Sequence, residues 1–161
     1  MKKCLFFFAF IACIINLVSC TDQCPPLSGS QKAAIENQIL KQWKITGLAV
    51  ENADANEYLT SFSSTEFMGM YSEGKPFLTR VEYADSVKIW FSTRKSSEIK
   101  QASIKVTVLS DILALLDQNS VFQLNLKNNR LVSYNHAISF IFKREGSGWK
   151  IIHGHESWNP I

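Results

Sequence analysis

The side chains most capable of chemistry are concentrated near the C-terminus of the chain. All three histidines, His136, His153 and His155, lie there, and Glu156 directly follows the last of them. Imidazole and carboxylate groups are common metal ligands, and they are common acids and bases in enzymes. Their spacing decides which of these roles the residues can share.

Two predicted strands joined by a turn at residues 145–148 carry these residues, and the register of the hairpin determines the side-chain faces. If Arg144 lies opposite Trp149, all three histidines share one face. The opposite face then contains Asn135, Ser139, Ile152, Glu156 and Trp158. A β-bulge would exchange the two faces along one of the strands.

The spacing of His153 and His155 also occurs in metal sites, and His136 on the neighbouring strand would supply a third imidazole. No carboxylate joins them on that face, and packed histidines fit the aromatic-rich surroundings better. We therefore expect no metal and no other cofactor. A triad of Ser157, His155 and Glu156 is excluded because neighbouring residues of a strand point to opposite faces.

Length and composition indicate one folded domain. The chain has 161 residues, of which 46% are hydrophobic and 19% are charged, which excludes a disordered chain and a disulfide scaffold. Residues 1–19 contain no carboxylate, so without Lys2 and Lys3 the net charge falls from +3 to +1. A nearly neutral domain lacks the charge pattern of a nucleic-acid-binding protein.

The N-terminus matches a bacterial lipoprotein signal. Two lysines precede an apolar run that is too short to span a membrane, and the run ends in the lipobox Leu17-Val18-Ser19-Cys20. We expect removal of residues 1–19 and acylation of Cys20, which would anchor the protein to the lipid bilayer. An ordinary secretory signal or a short anchor helix is the alternative.

This interpretation predicts the domain organisation and the location. Residues 20–30 would form a lipidated tether, and residues 31–161 would form the domain, on the periplasmic or surface side of a bacterial envelope. Cys24 would be the only free thiol of the mature chain, because Cys4 and Cys13 leave with the signal. A single thiol forms neither an internal disulfide nor a metal cluster.

The domain sequence predicts helices first and then a β-meander. Apolar residues recur at helical spacing over residues 30–50, and capping boxes at residues 54–57 and 79–82 begin two further helices. A strand over residues 66–71 lies between them. Four longer strands follow, at residues 104–108, 112–126, 134–143 and 149–158. This order is typical of α+β proteins.

The closing sequence of residues 149–157, W-K-I-I-H-G-H-E-S, followed by Pro160, resembles the last strand of the nuclear transport factor 2-like superfamily. It is most similar to SnoaL-like bacterial proteins and to the association (hub) domain of calcium/calmodulin-dependent kinase. The similarity extends over about residues 30–160. It implies a cone-shaped fold in which three N-terminal helices pack on a curved antiparallel sheet around a pocket.

The resemblance also implies roles for both sheet faces. The pocket would be lined by Glu156, Ser139, Asn135, Trp158 and Ile152, while His136, His153 and His155 would be packed or lie at an interface. The hub domain has pocket arginines, and Ser139 and Glu156 stand at two of those positions, so we do not expect its anion binding here. The strands are apolar on both faces and the helices cover only one, so we expect a homodimer.

Three functions are compatible with these features. Non-catalytic binding of a small apolar or weakly polar ligand ranks first, because few titratable groups are expected inside the pocket. An isomerase- or hydrolase-like enzyme ranks second, since an apolar pocket raises the pKa of a carboxyl such as Glu156 and suits it to acid–base catalysis. An oligomeric scaffold ranks third. Glu156 could instead be a surface or rim carboxylate, or it could be paired with Lys150.

Overall fold

The computed structural model describes residues 26–161, so the lipobox, Cys20 and Cys24 lie outside the described residues. The three helices are α1 (Gly29–Glu51), α2 (Ala55–Thr60) and α3 (Arg80–Ser92). The six strands are β1 (Gly69–Ser72), β2 (Lys75–Phe77), β3 (Arg94–Val108), β4 (Leu113–Leu126), β5 (Leu131–Glu145) and β6 (Gly148–Pro160). None of these helices combines the length and apolarity needed to cross a membrane.

Side-chain caps begin all three helices. Ser28 and Gln31 form a capping box that the sequence analysis missed, so α1 starts within the segment expected to be tether. Thr79 and Glu82 form the predicted box of α3. In α2 the Asp54 carboxylate accepts from the Glu57 N–H at 2.9 Å, but the Asp54 N–H donates to the Ala49 carbonyl at 2.9 Å instead of to Glu57.

The strands form one curved sheet in the order β2-β1-β6-β5-β4-β3. The four long strands make the predicted antiparallel meander, whereas β1 runs parallel to β6 and makes the sheet mixed. The predicted strand at residues 66–71 begins only at Gly69, and β2 has three residues, too few for a periodic pattern. β3 begins ten residues earlier than expected.

The helices cover the concave face of the sheet and bury an aromatic core against it. Trp43 of α1 packs on Phe140 of β5, and its indole N–H donates to the Gln118 side chain at 2.7 Å. Tyr58 and Phe62 continue the aromatic contacts toward α3. These contacts agree with the cone-shaped α+β architecture expected from the sequence.

The β5–β6 register contains a β-bulge that corrects the predicted faces. Arg144 lies opposite Trp149 as predicted, but Phe142 pairs with Ile151 while Ile141 pairs with His153. Ile152 therefore has no partner on β5. Beyond it, Glu156 lies opposite Ile138 and Trp158 lies opposite His136, so both point to the concave face.

The bulge separates the three histidines, which were expected on one face. His136 faces the helices, whereas His153 and His155 lie opposite Ile141 and Ser139 on the outer face. The third imidazole of the hypothetical metal site is thus on the wrong side of the sheet. Within residues 26–161 no three His, Cys, Asp or Glu side chains are grouped closely enough to hold a metal ion.

Gly154 allows β6 to pass close to the core. A Cβ added to Gly154 would overlap the Phe140 ring and lie 2.9 Å from the Met70 sulfur. We expect Gly154→Ala to lower the free energy of unfolding by roughly 2–3 kcal/mol, because both neighbours are packed. Gly148→Ala is the control, since nothing lies within 4 Å of its Cβ position. Urea denaturation of both variants measures the difference, and equal stabilities would contradict the packing.

Candidate functional site

A cavity of about 420 Å³ lies between α3, the β1–β2 turn and the ends of β4, β5 and β6. Its wall is mainly aromatic and aliphatic, with few polar groups. The lining residues that carry the argument below are Tyr58, Tyr83, Ser86, Trp90, Glu156 and Trp158. Glu73 and Pro160 also line it and are exposed, so they mark the side that opens to solvent.

Glu156 is the acidic group at the depth of this cavity. Its Oε2 lies 3.6 Å from Nε2 of His136, and the two side chains are only 13% and 10% exposed. The His136 ring stacks on Trp158 with centroids 3.7 Å apart and planes 19° apart. His136 Nε2 has no hydrogen-bond partner among residues 26–161. A small inward movement would bring the imidazole and the carboxylate within hydrogen-bonding distance.

Two tyrosine hydroxyls lie close together at the same depth. The hydroxyl oxygens of Tyr58 and Tyr83 are 3.0 Å apart, and both side chains are buried. Burial raises the pKa of Tyr58 far above its usual value, and the charge of Glu156 raises it further. Burial and the neighbouring Tyr58 raise the pKa of Tyr83 in the same direction. Both hydroxyls therefore stay protonated at physiological pH.

Arg94 places a guanidinium group directly behind the cavity wall. It is 2% exposed, and its Cζ lies 3.2 Å from the ring centre of Trp90 and 3.9 Å from that of Phe91. Only Nη1 has a partner within residues 26–161, the Ser97 hydroxyl at 3.1 Å. Burial lowers the pKa of Arg94 to about 9, while Tyr58 and Glu156 act in the opposite direction.

Three of the predicted pocket residues do not line this cavity. Ser139 and Asn135 lie on the outer face, where the Ser139 hydroxyl donates to Asp117 at 2.6 Å. Ile152 is buried at the bulge. The cause is the register shift, which moves Glu156 and Trp158 to the side of His136 and leaves Ser139 and Asn135 opposite them.

The ion pair between Glu156 and Lys150, one of the alternatives that the sequence left open, does not form. The Lys150 ammonium donates to the Thr60 carbonyl at 2.6 Å. Their separation of six residues would place both side chains on one face of a regular strand, but the bulge lies between them. Among the described residues, the ion-pair partner of Glu156 is therefore His136 and not a lysine.

The outer face of the sheet is more polar than the sequence analysis expected. His155, Ser139 and Asn119 are exposed there. Ile141 and Val121 are half-buried and supply the apolar part. The homodimer and the interface role of His153 and His155 stay predictions.

Sequence reasoning missed three parts of this site. His136 was assigned to the opposite face because a bulge has no signature in the alternation of residues. Arg94 follows α3 directly and resembles any basic residue at a helix end. Tyr58 and Trp90 occur at helical spacing, which does not distinguish a cavity wall from a filled core.

The family model for the SnoaL-like domain matches residues 37–161. The chain therefore belongs to the SnoaL-like family, within the nuclear transport factor 2-like superfamily that the sequence resembled. No protein of curated function matches the sequence significantly.

Two solved structures illustrate the shared fold. A nuclear transport factor 2-like superfamily protein from Salmonella enterica is 14% identical with a TM-score of 0.70, over 79% of this chain and 92% of its own. The hexachlorocyclohexane dehydrochlorinase LinA, type 2, is 11% identical with a TM-score of 0.68, over 83% of this chain and 93% of its own. At these identities the likeness establishes the fold alone.

Arg94 offers a test of how the site is stabilised. A buried charge with unpaired nitrogens contributes little net stability. The free energy of unfolding of Arg94→Met should therefore be at most about 1 kcal/mol below that of the unmodified protein, or higher than it. Arg94→Ala also loses the packing against Trp90 and Phe91, and should cost about 2–3 kcal/mol. Thermal and urea unfolding give both values. A Met variant as unstable as the Ala variant would show that the charge itself is stabilising.

Proposed function

We propose that this protein is an envelope lipoprotein, anchored through Cys20, whose domain binds a small and largely apolar molecule in the cavity beside α3. The observation that carries the proposal is a cavity of about 420 Å³ whose wall contains the rings of Tyr58, Tyr83, Trp90 and Trp158, with Glu156 at its depth. Ligand sites usually have this character: 300–1,000 Å³ of mainly apolar wall with a few polar groups that orient the ligand.

The lining suggests the shape and polarity of the ligand. Trp90 and Trp158 present ring surfaces that suit a flat or ring-containing molecule. Glu156 can accept a hydrogen bond from the ligand, and the Tyr58 hydroxyl can donate or accept one. The best fit is a neutral molecule with an apolar body and one hydroxyl or amine group.

Filling the cavity tests the binding proposal. Ser86→Trp places an indole in the half-buried position where α3 lines the cavity. We expect this variant to lose binding of N-phenyl-1-naphthylamine, a neutral aromatic amine, by at least tenfold in fluorescence titration. Lys88→Trp is the matched control, because it adds the same side chain at an exposed position of the same helix. Equal binding by both variants would contradict the assignment of the cavity.

Acid–base catalysis is the second candidate function. The pairing of Glu156 with His136 supports it, because a carboxylate beside an imidazole can exchange protons with a substrate held against them. Tyr58 and Tyr83 could hold a developing oxyanion. A dehydrochlorinase is among the structures of this fold, which makes isomerisation or elimination the reaction class to test.

Glu156→Gln separates the two functions. It preserves the shape of the side chain and removes its basicity. For a binding domain we expect ligand affinity to change less than fivefold and no turnover in either protein. For an enzyme we expect turnover in the unmodified protein to fall at least a hundredfold in the variant. Mass spectrometry of candidate cyclic alcohols and halides after incubation measures turnover.

A further inference from the structure

Four large apolar side chains on the cavity side of the molecule are mostly exposed. Met68 is 68% exposed, Leu78 64%, Val81 70% and Ile89 68%. We call these four residues the α3 stripe. Isolated apolar residues are common on protein surfaces, whereas several together mark an interaction site.

The backbone brings these residues together. Gly69, which follows Met68, lies against Leu78, because a Cβ on Gly69 would be 3.9 Å from the Leu78 Cα. Val81 lies in the first turn of α3, three residues after Leu78. Ile89 is eight residues further on and therefore on the same face of the helix. Asp85 lies between them on that face.

The α3 stripe adjoins the entrance of the cavity. Phe77 precedes Leu78 and lines the cavity, and Ser86, which also lines it, lies one helical turn before Ile89. The two sides of α3 thus differ: Tyr83 and Val87 face the interior, while Val81 and Ile89 face outward. Any surface that covers the stripe will also lie next to the entrance.

We infer that the α3 stripe contacts the lipid bilayer and that the ligand enters the cavity from the lipid phase. This inference rests on the proposed anchor at Cys20 and on the proposed ligand binding. It assigns the ligand to membrane-dissolved molecules with an apolar body. A ligand of the aqueous phase would need no apolar surface beside the entrance.

The short tether favours the bilayer as the occupant. Seven residues separate Cys20 from Ser28, the N-cap of α1, and the eight Cα–Cα steps of this segment span at most about 28 Å. An anchored domain is therefore held at a high effective concentration beside the membrane, where a small apolar surface is sufficient for contact. The charges at the margin are mixed, with Lys75 and Lys88 exposed on one hand and Asp85 on the other.

Lipid-depth labelling tests the contact. Single cysteines at Val81→Cys and Ile89→Cys, in a Cys24→Ser background, would carry an environment-sensitive fluorophore on the acylated full-length protein in phosphatidylcholine and phosphatidylglycerol vesicles. Leu109→Cys and Leu131→Cys are matched controls, because they are also more than half exposed and lie in the β3–β4 and β4–β5 turn regions. We expect lipid-attached quenchers to quench the labels at 81 and 89 at least threefold more than the control labels.

The other outcomes overturn the inference. Quenching at 109 or 131, with 81 and 89 unquenched, would turn a different surface to the bilayer. Concentration-dependent burial of the labels at 81 and 89 in unacylated protein without vesicles would make the stripe an interface between two copies. Equal, weak quenching at all four positions would mean that the domain stays clear of the membrane.

Ligand transfer provides a second readout. We expect Val81→Gln together with Ile89→Gln to slow uptake of N-phenyl-1-naphthylamine from vesicles at least fivefold, while its affinity for the dissolved domain stays unchanged. Asp85→Asn should speed uptake, because it removes the carboxylate of the stripe. Uptake at the unmodified rate by the double variant would overturn the inference. If the unmodified protein does not bind the probe in solution, the binding proposal is contradicted instead. The mass of the Cys20 peptide checks the anchor separately.

Discussion

Between Ile151 and His153 the last strand contains one residue more than the strand beside it, and the contents of the cavity depend on this bulge. With an unbroken register, the imidazoles of His153 and His155 would point toward the helices and Glu156 would point outward. The extra residue reverses this arrangement. It is held in place by the Met68 N–H, which donates to the Ile152 carbonyl at 2.6 Å, and by Gly154, which leaves room for Phe140.

The polar groups of the interior are few, and each depends on its neighbours. Glu156 has His136 beside it, the two tyrosine hydroxyls have each other, and Arg94 has two aromatic rings and one serine hydroxyl. Unpaired buried nitrogens on His136 and Arg94 cost stability. A buried polar group without a partner needs an explanation, and a functional role is one of those available.

The fold defines the family but leaves the chemistry to these few residues. Binding and acid–base catalysis would use the same cavity and the same carboxylate, so the difference between them lies in what the imidazole beside Glu156 does when a ligand is present. The position of the cavity beside α3 matters equally. α3 lines the cavity with one side and exposes Val81 and Ile89 on the other, so the same helix borders the cavity and the exterior of the protein.

Elements with a local cause can be predicted from the sequence alone. The capping box at Thr79 and Glu82 begins α3, Asn129 turns the chain with a φ of 63°, and Gly146 does so with a φ of 58°. These features need only neighbouring residues, and so does the alternation that predicts the long strands. The closing sequence carried the resemblance to the superfamily, and the family model over residues 37–161 confirms it.

The set of side chains that share the cavity depends on long-range packing and could not be predicted from the sequence. A bulge changes the faces without changing the alternation, so His136 and Glu156 could not be brought together from their spacing. The parallel pairing of β1 with β6 joins segments that lie far apart in the chain, and no local pattern encodes it. The burial of Arg94 depends on the rings of Trp90 and Phe91 closing over it, which follows from packing rather than from residue type.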